Sequence, residues 1–252
     1  MGPEIDRLVA LLRASRRLLV FTGAGISTAS GIPDFRGPGG VWTRRRPVTW
    51  QEFLSSHEAR VAHWEYKLEG WEAFRDARPN AAHRAVVELE RAGKVLLVVT
   101  QNIDGLHQMA GTDPARLVEL HGTNRWIECV RCGKRSEPEP HFEWFRRTRR
   151  PPQCPCGGWL KPATISFGQN LRSEDLERAW AGAEACDAVI ALGSSLSVYP
   201  AAEVPLVAAR RGVPYAVVNR GPTEHDGLPE VTVRVEGDVS VVFPEAVRAA
   251  LV

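Results

Sequence analysis

Five cysteines occur in the 252-residue chain, and four form two tight pairs, Cys129-x-x-Cys132 and Cys154-x-Cys156, with Gly133 and Gly157-Gly158 supplying turns. Two knuckles of paired thiolates predict a tetrahedral site of the structural zinc type, closed because protein fills all four positions. A closed site cannot activate water, so its expected role is scaffolding. Four unligated buried thiols are the competing reading, and Cys186 stands apart in an apolar stretch. The tight pairs and odd count argue against a disulfide framework and for a reducing compartment.

A second group of residues has the character of a nucleotide site. The stretch LLVFTGAGISTASGIPDFRG, 18–37, turns from an apolar run into a loop with glycines at 23, 25 and 31, not the G-x-G-x-x-G of a dinucleotide fold. Three more polar segments follow apolar runs: TQNIDGLH (100–107), ALGSSLS (191–197) and VNRG (218–221). Amide and carboxylate groups at Gln101, Asn102 and Asp104 suit ribose hydroxyls and a carboxamide. Small residues at Gly193, Ser194 and Ser195 suit phosphate oxygens, and Asn219 suits an adenosine ribose. His121, in ELHG (119–122), is the best general-base candidate among seven histidines, because imidazole titrates near neutral pH and Gly122 leaves room for a ligand. His107 is the second.

Such loops must be carried on one sheet edge, and the rest of the chain supplies it. Leu18–Phe21, VLLVVT (95–100), DAVIALG (187–193), PYAVVN (214–219) and VTVRV (231–235) read as buried strands, with LVEL (117–120) and ATISF (163–167) as further candidates. Amphipathic helices are expected over 3–14, 82–92, 173–185, 200–212 and after 235. The alternation predicts an α/β fold with a doubly wound, parallel, Rossmann-like sheet, whose strand ends carry ligands. Residues 38–80 and 123–160 break the rhythm. They are expected to form a helical insertion and a zinc module that pack together as a small domain, against a main domain made of 1–37, 81–122 and 161–252. The substrate cleft should lie between the two.

Composition narrows the function classes. With 44% hydrophobic and 25% charged residues and a net charge of +2, the chain makes no case for a polyanion partner, so nucleic acid is not expected. RRTRR (146–150) reads as a solvated charge run. The start, MGPEIDRLVALLRASRR, has neither a basic leader nor a long apolar run, and no stretch approaches a membrane span. A cytoplasmic protein with no membrane partner is expected, with a monomer favoured.

The ordered set GAGIS…GIPDFRG, TQNID, HG, two cysteine knuckles, FG, GSSL and VN resembles the sirtuin family of NAD-dependent protein deacylases, from about residue 18 to 244. The resemblance implies that NAD is consumed. An acyl-lysine oxygen attacks the anomeric carbon as nicotinamide leaves, and His121 acts as base on a ribose hydroxyl. Lysine and O-acetyl-ADP-ribose are then released. It further implies that Gly23, Ala24, Gly25 and Ser27 meet phosphates and ribose, while Asp34, Phe35 and Arg36 form the lid over the broken bond. By the same resemblance Asn102 and Asp104 order the nicotinamide ribose and carboxamide, with Gln101 and Ile103 beside them. Gly193, Ser194, Ser195, Asn219 and Val239 hold the adenosine half.

For acetyl-lysine peptides, SFGQN (166–170) and GSSLSVYP (193–200) match the segments that pair with a substrate strand, Phe167, Gly168 and Val198 lining the acyl-lysine tunnel. Members that take succinyl or malonyl groups carry Tyr-x-x-Arg in the helical insertion, where this chain offers Trp64 and Lys67. A neutral acyl group such as acetyl is therefore expected. Other readings are long-chain deacylation, mono-ADP-ribosyl transfer, NAD hydrolysis, a non-catalytic NAD or ADP-ribose sensor, and a zinc-ribbon adaptor. His121 with Asn102 argues against the sensor, and the small net charge against the adaptor.

Overall fold

The computed structural model describes residues 2–34 and 46–252. In chain order its strands are β1 (Leu18–Thr22), β2 (Val95–Thr100), β3 (Leu117–Glu119), β4 (Gly122–Cys129), β5 (Arg135–Ser136), β6 (Leu160–Thr164), β7 (Ala188–Leu192), β8 (Tyr215–Asn219) and β9 (Val233–Glu236). The α-helices are α1 (Pro3–Ala14), α2 (Trp50–Ser55), α3 (His57–Asp76), α4 (Ala81–Arg91), α5 (Leu106–Ala110), α6 (Glu139–Thr148), α7 (Ser173–Ala185), α8 (Glu203–Ala209) and α9 (Val239–Leu251).

Six strands form one parallel sheet in the order β3-β2-β1-β7-β8-β9. Continuous apolar runs make sense here because side chains alternate between two covered faces. Leu18 and Val20 of β1 point to a core shared with Leu8, Leu12, Val86, Leu89, Phe243 and Val247, contributed by α1, α4 and α9. Leu19 and Phe21, one residue out of step, point to the opposite core beside Ala179, Ala183 and Leu206 of α7 and α8. From β1 the chain steps outward to β2 and β3, and from β7 it steps the other way to β8 and β9. The strand order therefore reverses between β1 and β7, which opens a crevice at their carboxyl ends.

A second, antiparallel sheet joins β5, β4 and β6. The strand expected over 163–167 is found here instead, shifted to 160–164. Lys161 and Pro162 disguise it in the sequence, and all five of its residues are nonetheless buried. The Lys161 ammonium bonds to the carbonyls of Pro162 and Thr164, which lets a charged residue occupy the strand.

Aromatic packing ties this sheet to the helical insertion. Trp64 of α3 is fully buried, its ring centroid 5.3 Å from that of Phe142 and 5.8 Å from that of Phe145, both on α6. Its Nε1 donates to the Leu160 carbonyl at 3.1 Å. Trp71 stacks on Phe142 at 4.4 Å. No helix among the described residues is long and apolar enough to cross a membrane.

Trp64 thus joins α3, α6 and β6 through one side chain. Trp64→Ala is expected to cost about 3–5 kcal/mol, from the cavity and the orphaned Leu160 carbonyl, read as a large drop in denaturation midpoint.

Candidate active site

The crevice at the strand-order reversal widens into a cavity of about 1470 Å³. Its floor comes from the loops that follow β1, β2, β7 and β8, and its far wall from α3 and the segment after β6. The β1 and β7 loops meet backbone to backbone: Gly25 N donates to the Gly193 carbonyl at 2.8 Å, and Gly23 N to the Leu192 carbonyl at 3.0 Å. A Cβ on Gly25 would lie 2.8 Å from the Gly193 Cα, and one on Gly23 2.7 Å from the Gly193 oxygen. Gly193 itself has φ +64°, and a Cβ there would fall 2.4 Å from Ile26 N. Side chains at these positions would wedge the two loops apart.

The unusual glycine spacing also resolves. After Gly23 the chain makes two short 3₁₀ turns, Ala24–Ile26 and Thr28–Ser30, and Gly31 ends the second at φ +83° with open space around it. Gly31 serves the turn, so only Gly23 and Gly25 are placed by close approach.

Beneath this loop lies a buried polar network. Asn102 Nδ2 donates to the Gly23 carbonyl and to Ser27 Oγ, both at 3.1 Å. Ser27 Oγ donates to Asp104 Oδ2 at 2.8 Å, and Leu106 N donates to Asp104 Oδ1 at 2.9 Å. Burial pushes the Asp104 carboxyl above its usual range, against the pull of the Leu106 and Ser27 bonds. Asn102 N is itself held by Thr100 Oγ1 at 3.0 Å, which also accepts from Thr22 Oγ1 at 2.7 Å. Gln101 Nε2 crosses to Ser194 Oγ at 2.8 Å, linking the β2 and β7 loops.

His121 lines the cavity on the far side of Gln101. Its Nδ1 lies 3.0 Å from the Gln101 carbonyl, which can only accept, so Nδ1 carries the proton and Nε2 is left as the basic nitrogen. Burial pulls its pKa below the ordinary 6.5, against the Gln101 bond. The ring is neutral at pH 7, the form that can take a proton.

The other expected residues divide into groups. Gly23, Ala24, Gly25, Asp34, Gln101, Asn102 and Ile103 line the cavity, as do Gly193, Ser194, Ser195, Asn219, Val239, Phe167, Gly168 and Val198. Ser27 and Asp104 stand behind the wall and act through Asn102. Phe35 and Arg36 lie outside the described residues. His107 is displaced as a candidate base, being buried with Nε2 3.0 Å from Thr22 Oγ1 and away from the cavity. Trp64 is likewise displaced into the aromatic core, and of that pair only Lys67 reaches the cavity.

Some lining residues carried no signal in the sequence. Ala62, Tyr66, Ile165, Leu171 and Leu176 read as ordinary helix or strand positions, and only the approach of α3 and α7 makes them wall. Lys67 Nζ rests 3.2 Å from Asn124 Oδ1, and burial beside Lys161 brings its pKa down to about 7.

With this geometry in hand, likeness to known proteins becomes interpretable. The sequence model of the Sir2 family matches residues 23–200, the span that contains the β1 loop, His121 and both cysteine pairs. The chain belongs to the Sir2 family. It is 43% identical over 235 residues to a protein of Rhodopseudomonas palustris called NAD-dependent protein deacetylase, covering 93% of each chain. It is 44% identical over 234 residues, with 91% of each chain covered, to NAD-dependent protein deacetylase 1 of Bradyrhizobium diazoefficiens. A solved Sir2 structure with a p53 peptide and NAD+ superposes with a TM-score of 0.86 at 36% identity, covering 100% of this chain and 98% of that one.

The cysteine pairs of this Sir2 chain were tested against the metal they suggest. The Sγ atoms of Cys129, Cys132, Cys154 and Cys156 all lie within 4.8 Å of one another. Cys129 and Cys156 are 3.5 Å apart and Cys132 and Cys154 3.8 Å, close to the ~3.8 Å edge of a tetrahedron with ~2.3 Å zinc–sulfur bonds. Arg131 N points at Cys129 Sγ and Gly158 N at Cys156 Sγ, each at 3.4 Å, as thiolates in knuckles require. A Cβ on Gly158 would lie 2.6 Å from Cys129 Sγ, so the second knuckle closes only on glycine. The four thiols fit a structural zinc ion.

Two outcomes are expected. Cys154→Ser should lose bound zinc by elemental analysis and lower the melting temperature, because metal binding here is folding free energy. Burial holds the pKa of His107 down to about 4 and that of His83 down to about 2, the latter with help from His107. Unfolding lets both take protons near pH 6.5, so stability is complete above that pH and falls as pH drops toward 4. Between roughly pH 7 and 5.5 each should cost about 1 kcal/mol, and denaturant titrations should show a shallower slope in His107→Gln.

Proposed function

We propose that this protein is an NAD-dependent protein-lysine deacetylase, releasing nicotinamide, O-acetyl-ADP-ribose and the free lysine. The observation that carries the reading is the pairing of His121, neutral with Nε2 open, with Asn102, locked by Gly23 and Ser27, on one cavity wall. Bond exchange at a ribose carbon needs a base for a ribose hydroxyl, and the neutral imidazole supplies one. The name of the Rhodopseudomonas palustris relative supports the same activity. So does a solved Sir2 mutant with deacetylated p53 peptide and 3'-O-acetyl-ADP-ribose, 36% identical with a TM-score of 0.87.

In this reading the β1 loop at Gly23, Ala24 and Gly25 and the groups at Gly193, Ser194 and Ser195 border the pyrophosphate, and Asn219 and Val239 border the adenosine. Asn102 and Asp104 order the nicotinamide ribose, with Gln101 and Ile103 alongside. His121 Nε2 takes the ribose hydroxyl proton, and its Nδ1–H bond to Gln101 stabilises the imidazolium that results. The lid role of Phe35 and Arg36 rests on the sequence resemblance alone. Nucleotide and acyl-lysine enter from opposite sides of one cavity, which orients the two reactants.

Substrate backbone pairs between the segments holding Phe167 and Val198, with Gly168 at the turn. A neutral acetyl group suits the α3 wall, where Glu65 and Lys67 set opposite charges side by side and no arginine of that helix faces the cavity. Zinc held by Cys129, Cys132, Cys154 and Cys156 is structural. The main unit comprises 1–37, 81–122 and 161–252, and the small one 38–80 with 123–160. A monomer is the favoured acting unit, and cysteines placed for a metal and not for disulfides support a reducing, cytoplasmic setting.

Incubation with NAD and an acetyl-lysine peptide should yield nicotinamide and O-acetyl-ADP-ribose in equal amounts, followed by mass spectrometry. His121→Ala should lower kcat by about 10²–10⁴-fold at nearly unchanged peptide KM. Equal nicotinamide release without acylated peptide would assign NAD hydrolysis instead. ADP-ribose left on a protein acceptor would assign mono-ADP-ribosyl transfer.

A further inference from the structure

The arginine run at 146–150 is solvated, as expected, and it is carried on a fixed helix end. Phe142 and Phe145 pin one face of α6 into the aromatic core beside Trp64 and Trp71 of α3. The outward face ends in Arg146 and Arg147, and the helix closes with Arg149 at φ +55°. That left-handed capping slot is the one glycine fills most readily, yet it carries a cation. Arg150 is drawn back over the helix end by a 3.1 Å bond from Trp144 Nε1 to its carbonyl. Arg146, Arg147, Arg149 and Arg150 are all exposed, and among the described residues the only carboxylate within 4.0 Å of any of them is Glu65, at 4.0 Å from Arg149.

Glu65 fixes where this patch sits, because it also lines the active-site cavity. Arg149 is therefore one side chain away from the cavity lining, and the other three arginines share its helix end. Like charges crowded into one helical turn oppose folding unless a counter-charge meets them. Strand pairing through the main chain, the mode read for the acyl-lysine segment, gives affinity with little sequence selectivity. Charge complementarity outside the strand can supply that selectivity.

We propose that Arg146, Arg147, Arg149 and Arg150 form a docking surface for acidic stretches of protein substrates that flank the acyl-lysine. The proposal rests on the deacetylase reading for the identity of the bound chain. An acidic polypeptide fits better than nucleic acid. The patch occupies one helix end in a chain of net charge +2, with Glu65 and Glu143 bordering it, not the broad basic face that tracks a phosphate backbone.

The test compares two labelled acetyl-lysine peptides, one with a run of aspartates beside the lysine and one with serines in their place. Binding is read by fluorescence anisotropy and turnover by nicotinamide release. For the wild-type protein the aspartate peptide should bind about fivefold more tightly, the yield of two or three exposed charge pairs. The advantage should shrink at high salt. It should vanish in Arg146→Glu/Arg150→Glu and be reduced in Arg146→Ala/Arg150→Ala, with serine-peptide binding and kcat unchanged in both. Equal binding of the two peptides, an advantage that survives in the Glu pair, or displacement of the aspartate peptide by a single-stranded oligonucleotide would overturn it. Binding decides the docking surface by itself, whereas absence of serine-peptide turnover in the wild type counts against the deacetylase reading.

Discussion

The direct contact between the β1 loop and Gly193 is the constraint from which the site follows. Two parallel strands that part company in opposite directions leave a gap, and here the gap is bridged by backbone, with Gly23 and Gly25 lying against Gly193. No side chain fits between them. The bridge satisfies the Gly23 and Gly25 amides, and Ser27 comes within reach of Asn102. It also leaves the rest of the β1 loop to make two tight turns instead of a long helix. A cofactor that is only borrowed can sit on a short rigid turn, whereas one that is broken needs further groups around the reacting bond.

That placement costs polar burial, and the network beneath the loop offsets it. Asn102, Ser27, Asp104, Thr22 and Thr100 bond mainly to one another or to nearby main chain, so no charged group has to be paired across the sheet. His83 and His107 stay neutral in the same region because burial denies them a proton. The result is a floor whose carboxyl group, Asp104, is held by Ser27 and the Leu106 amide. Against it His121 stands out, since its carbonyl partner fixes one tautomer.

The second sheet contributes by position. Aromatic rings from α3 and α6 lock the helical insertion onto the cysteine-bearing sheet, and the locked unit becomes the opposite wall of the cavity. Two closed thiol knuckles far from the strand ends suit that task, because a metal with no open position can hold shape and nothing else. The same packing brings Arg149, just past the end of α6, beside Glu65.

Much of this was legible before any coordinates. Apolar runs separated by amphipathic helices determine the parallel sheet, because only a strand covered on both faces can be apolar at every position. Cysteine spacing determines the knuckles, and the polar residues after each run determine which loops meet. Pairing partners were not legible where composition misleads: Lys161 and Pro162 hid a strand whose charge is satisfied by its own backbone. Local sequence ranked His121 above His107 only on the adjoining Gly122, not on what either ring touches. Tertiary structure separates them by what each ring touches, a carbonyl at the cavity wall for one and a threonine in the core for the other. Local pattern depends on neighbours along the chain, whereas depth and hydrogen-bond partner depend on residues far away in sequence, and these decide what a histidine can do.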